Sequence, residues 1–159
     1  MSRSLRSFLP PRAIVMTRAN PIVPRQASSK LVFVSEPLGE AEPLFDRMIQ
    51  AMGLSREEVH IFYVTADQPF HPEPLEAMRP PLVVTLGELA TQSLLGGAIP
   101  FSTLRGRFHD YRATQNAIPV MPTFHPTYLL SNPASKRETW ADLLAVAAKL
   151  GIQIPKKES

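Results

Sequence analysis

The residue best placed for chemistry is His125. It leaves the end of the apolar run Pro119-Val-Met-Pro-Thr-Phe124, is held by Pro126, and is followed by Leu129 and Leu130 before a helix begins. A histidine that emerges from a buried strand into a rigid loop stands at the carboxyl edge of a sheet, where α/β proteins build their sites. The competing reading is a histidine hydrogen-bonded within that loop. Asn132 then reads as an N-cap and Pro133 as the first helical residue. This helix start, with Lys136 and Arg137, could hold a phosphate, unless the two cations are simply solvated.

Other chemistries fail on composition or spacing. The chain has no cysteine, which removes disulfides, thiol catalysis and cysteine-ligated zinc or iron–sulfur clusters. His60, His71, His109 and His125 form no metal pattern. Neither a G-x-G-x-x-G nor a G-x-x-x-x-G-K-S/T motif occurs, so no nucleotide cofactor is indicated and none of any kind is expected.

The elements that must position His125 alternate along the chain. Apolar runs at residues 31–35, 60–64, 82–86 and 119–124 read as buried strands, and 108–112 as an edge strand. Leu44, Phe45, Met48, Ile49 and Met52 follow helical spacing within a helix over 40–52, closed by Gly53. Residues 65–81 contain five prolines and read as a loop with one helical turn, at 73–78. Residues 88–95 and 133–150 read as helices, the latter burying Trp140, Leu143, Leu144, Ala147 and Leu150. The expected fold is α/β, a three-layer sandwich around a central, largely parallel four-stranded sheet.

With 159 residues there is room for one domain and a tail. Residues 1–30 hold six cations and no acid, whereas the remainder carries eleven cations against fourteen acids. The net charge of +3 is therefore a property of a basic, proline-broken arm, 1–30. That arm could contact nucleic acid or a partner protein, or be a solvated tail. A domain over 31–151 and a polar tail over 152–159 complete the division. No apolar run approaches the roughly 18 residues that span a membrane. The expected location is cytoplasmic, at the nucleoid.

The segment Phe124-His-Pro-Thr-Tyr-Leu-Leu-Ser-Asn-Pro-Ala-Ser-Lys-Arg-Glu-Thr-Trp140 resembles the uracil-DNA glycosylase superfamily, in particular its bacterial and archaeal iron–sulfur branch (family 4). There, H-P-x-x-L-L leads into N-P-x-x-K-R-x-x-W and a final helix. Val83-Val-Thr-Leu-Gly87 with the helix after it, Leu104-Arg-Gly106, and Leu44 through Val59 extend the resemblance to about two thirds of the chain. Such enzymes extrude a base and cleave the sugar–base bond through an oxocarbenium-like state. The resemblance implies that His125 is the donor to the developing charge on the base, worth roughly 3 kcal/mol of barrier. It implies a minor-groove wedge at Leu129 and Leu130, DNA contacts at Pro126, Lys136 and Arg137, and a catalytic acid at Glu36 in Ser35-Glu-Pro-Leu-Gly39. Leu129 and Leu130 could equally be core, and Glu36 could be an exposed loop carboxylate.

The departures from that pattern shape the expected function. The chain passes from Gly39 to Leu44 almost at once, so the family's base-stacking aromatic is missing. Tyr63 stands where the family has its uracil-reading asparagine, and a phenol cannot offer the paired donor and acceptor of an amide. Ser131 replaces the usual arginine, and no cluster cysteine is present. The first expectation is a degenerate, non-catalytic, DNA-associated module, similar to the adaptor role of the psi subunit in the polymerase III clamp-loader complex. A replication or repair protein would bind its arm. The alternative is an active glycosylase of altered specificity, hydrolysing the N-glycosidic bond of a deaminated base.

Overall fold

The computed structural model describes residues 31–113 and 116–154. The arm over 1–30 and the last five residues lie outside the described residues. Five strands form one sheet in the order β2-β1-β3-β5-β4: β1 (Leu31–Ser35), β2 (Val59–Tyr63), β3 (Val83–Leu86), β4 (His109–Arg112) and β5 (Ala117–Thr123). β2, β1, β3 and β5 run parallel, and β4 joins β5 antiparallel. The expected four-stranded sheet is thus corrected to five, because the edge segment pairs over its whole length. Its exposure alternates, as a strand with one wet face requires.

Alternation of side chains across β1 builds the three layers. Leu31 and Phe33 meet Phe45 and Ile49 of α1 (Glu42–Ala51), with Leu143, Val146 and Ala147 of α6 (Lys136–Leu150), on one face. Val32 and Val34 meet Leu75 of α2 (Pro72–Met78), with Ala90 and Leu94 of α3 (Glu88–Leu95), on the other. Two short helices complete the fold, α4 (Phe101–Leu104) and α5 (Pro126–Ser131). Ile152 and Ile154 also pack on the first face, so the packed region runs past Gly151 into the segment expected to be a polar tail.

Three local expectations change. Residues 126–131 form a helical turn, not a loop. Asn132 makes no side-chain cap; it donates instead through Nδ2 to the Tyr128 carbonyl, and residues 133–135 form a 3-10 turn before α6. The buried stripe of α6 is rotated from the apolar one: Thr139, Asp142 and Val146 face inward and Leu144 is exposed.

Both prolines of β5 lie within the strand. The Pro122 carbonyl accepts from the Gly106 N–H at 2.9 Å on the β4 side, beyond the last β4 pair at Val120. Its ring nitrogen points the same way, where no ladder acceptor waits. Pro119 faces the β3 side, one residue before pairing with β3 begins at Val120. Neither removes a ladder hydrogen bond, which is why a paired strand tolerates both.

Candidate functional site

The four parallel strands end at one edge, and three of them contribute to the site. β1 delivers Glu36, β3 delivers Gly87, and β5 delivers His125, which is the N-cap of α5 and only 8% exposed. Gly87 adopts φ +94°, and its N–H donates to the Thr123 carbonyl at 2.8 Å. The bare Cα is needed there, since a β-carbon would come within 3.1 Å of the His125 β-carbon. Buried hydroxyls brace the same turn. Thr91 donates to the Gly87 carbonyl at 2.8 Å, leaving its oxygen to accept from Thr85 at 2.8 Å.

The hydrogen bonds of His125 assign its tautomer. The Thr127 backbone N–H donates to Nδ1 at 3.1 Å, and the Thr127 hydroxyl lies 2.8 Å from the same nitrogen. An Nδ1 that accepts from a backbone N–H carries no hydrogen, so the ring proton sits on Nε2. Nε2 donates to the Glu36 carbonyl at 3.0 Å. The Ser35 hydroxyl donates to the same oxygen. Glu36 therefore meets His125 through its backbone. Its carboxylate makes no hydrogen bond or ion pair among the described residues.

Next to Glu36, Gly39 takes φ +55° and opens a 3-10 turn, Gly39–Ala41, that runs straight into α1. Tyr63 ends β2 opposite Ser35 and is exposed. Partial burial, with Glu42 beside it, pushes its phenol above the ordinary value, while Arg56 pulls it back. Arg56 itself bridges Asp46 at 2.8 Å and Glu42 at 3.5 Å.

On α5 the two leucines part company. Leu129 is 1% exposed, inside the protein, lining a groove of about 180 Å³ between α1 and α6 with Leu44, Met48 and Leu143. Leu130 is 43% exposed. Of the two leucines, only Leu130 lies at the surface. Pro126 is buried at the first helical position. Lys136 and Arg137 are exposed at the start of α6.

Five residues absent from the sequence-based site belong to it. Gly87 and Thr127 position the imidazole. Behind them, Asp142 of α6 accepts from Arg105 Nη1 at 2.6 Å and from the Thr123 hydroxyl at 2.6 Å, tying α6 to the turn after α4 and to the end of β5. Residue type gave no signal for this clamp, because Asp142 lies outside the apolar stripe that the sequence of α6 shows.

The family model for the Uracil DNA glycosylase superfamily matches residues 14–144. The chain belongs to this superfamily. It is similar to type-4 uracil-DNA glycosylases from three organisms. The one from Saccharolobus solfataricus is 27% identical, over 80% of this chain and 76% of the relative. Those from Archaeoglobus fulgidus and Thermotoga maritima are each 26% identical. They cover 74% and 76% of this chain, and 69% and 77% of their own lengths. Membership supports a DNA glycosylase-like role and DNA as substrate or partner. The cluster of the iron–sulfur branch does not fit this chain, because its ligands are cysteine thiolates and there are none. Among the described residues, no helix is long and apolar enough to cross a membrane.

Proposed function

We propose that this chain binds DNA through α5 and the start of α6 and does not release uracil. The observation that carries the reading is the hydrogen bond from His125 Nε2 to the Glu36 carbonyl. A donor accelerates base release only when aimed at the charge that develops on the base. Here the one ring proton is held by a backbone oxygen, and turning it to a base would leave that oxygen with the Ser35 hydroxyl alone. Tyr63 adds to this, because its phenol lacks the amide's matched donor and acceptor for a uracil edge. The DNA-facing residues are Leu130, Lys136 and Arg137. The basic stretch over 1–30 adds a contact to a replication or repair protein, and a place at the nucleoid follows from DNA binding.

A second reading, an active glycosylase on another deaminated base, is favoured by the way Gly87 and Thr127 fix the imidazole. Single-turnover base release from single- and double-stranded oligonucleotides carrying uracil, hypoxanthine or xanthine separates the two. No release, with salt-dependent DNA binding intact, is the expected result. Release that His125→Ala abolishes would overturn it and make His125 a catalytic donor.

A further inference from the structure

Beside His125 the structure holds an aromatic stack that neither the family resemblance nor the site above uses. The Tyr128 ring lies on Phe124, centroids 4.7 Å apart and planes 18° from parallel. The Arg105 guanidinium sits 5.1 Å from the Phe124 centroid, and Phe101 meets Phe124 edge-on at 6.1 Å. Arg105 is in turn held by Asp142 at 2.6 Å. The backbone is fixed as well: the Tyr128 N–H donates to the His125 carbonyl at 2.9 Å, and the Tyr128 carbonyl accepts from Asn132 at 2.9 and 3.0 Å.

Tyr128 is nevertheless 43% exposed. With one face on Phe124, the exposed part of the side chain lies away from that contact. A flat ring already locked in place loses little rotamer freedom when it binds, and its open face is matched by another planar π-system. Bases in a duplex have both faces covered by their neighbours, so the surface suits an unpaired base. Lys136 and Arg137, eight and nine residues further on, supply cations for the strand's phosphates.

We propose that Tyr128, backed by Phe124 and Arg105, is a base-stacking residue that holds one unpaired base of single-stranded DNA beside His125. The inference rests on the DNA-binding reading above and adds to it a strand type and a contact residue. Stacking on an aromatic side chain tolerates any base and is not ionic. Removing the ring therefore lowers affinity without changing its salt dependence.

The test is a fluorescence-anisotropy titration of the full chain with a labelled oligothymidine strand at several salt concentrations. A parallel titration follows quenching of a strand carrying 2-aminopurine. Tyr128→Leu should bind roughly 5- to 150-fold more weakly, with an unchanged slope of log affinity against log salt and lost quenching. Tyr128→Phe should keep both affinity and quenching. As a contrast, Lys136→Ala should reduce the salt slope by about 0.7. Wild-type affinity in Tyr128→Leu, or equal loss in the Leu and Phe variants, overturns the stacking role and leaves DNA binding standing. A wild-type chain that binds a duplex but not this strand overturns the stacking role alone, and one that binds neither at low salt overturns both.

Discussion

Gly87 and His125 come from neighbouring strands and leave no room between them, since a β-carbon on the glycine would lie 3.1 Å from that of the histidine. The glycine also sits at φ +94°, where side chains are strained. Gly87→Ala should cost about 1–3 kcal/mol and displace the imidazole from the Glu36 carbonyl. A urea titration would show a lower midpoint with unchanged slope, and the His125 imidazole resonances in NMR should shift. A midpoint equal to that of the parent would mean the turn adapts freely.

The opposite settings of Leu129 and Leu130 give a paired prediction. Leu129→Ala should lose about 2–5 kcal/mol, the usual cost of truncating a buried leucine. Leu130→Ala should change stability by no more than about 0.5 kcal/mol and instead weaken DNA binding. Denaturation midpoints and a DNA titration on both variants check this; a stable Leu129→Ala with impaired binding would reverse the assignment.

Burial pushes the Asp142 carboxyl above its ordinary value of 3.8, against the opposing hydrogen bond from Thr123 and charge of Arg105. The folded chain thus holds this proton more tightly than the unfolded chain. The resulting stability is fully present below the ordinary carboxylate value and is lost as pH rises through the raised one. Asp142→Asn keeps an acceptor for both partners, so it should flatten that part of the stability–pH curve and change neutral-pH stability by less than about 1 kcal/mol. Asp142→Leu leaves both donors without an acceptor and should cost about 1–3 kcal/mol. Thermal unfolding between pH 3 and 8 compares the three.

Thr139 is buried on α6, and its hydroxyl has no hydrogen-bond partner among the described residues. Valine has nearly its shape without the hydroxyl. Because an unsatisfied buried donor costs about 1–3 kcal/mol, Thr139→Val should raise stability by roughly 1 kcal/mol and leave DNA affinity unchanged. Loss of stability on the same substitution would show that the hydroxyl has a partner in solution.

The sequence made the parallel core legible because β1, β3 and most of β5 are buried on both faces and read as largely apolar runs. Helix α3 was bounded by glycines and fell where expected. The rotated face of α6 was not legible. Its inward Asp142 and Thr139 are polar, and what keeps Asp142 inside is Arg105, 37 residues away in sequence. At the site, His125 stood out by its strand-end position. Its acceptor, the Glu36 carbonyl, is a backbone atom 89 residues distant and leaves no trace in residue type. The buried state of Leu129 was equally hidden, since two adjacent leucines give a helical turn no preference until α1 and α6 are in place.

The two prolines of β5 have a further consequence for assembly. Slid by a single residue, the strand would turn the ring nitrogens of Pro119 and Pro122 toward neighbouring carbonyls that need a donor, at about 1–3 kcal/mol for each one left bare. They act as a key that admits one reading frame of β5 and penalises the frames on either side. His125 follows the strand's last residue by two positions, so the same key sets how far the imidazole overhangs the sheet.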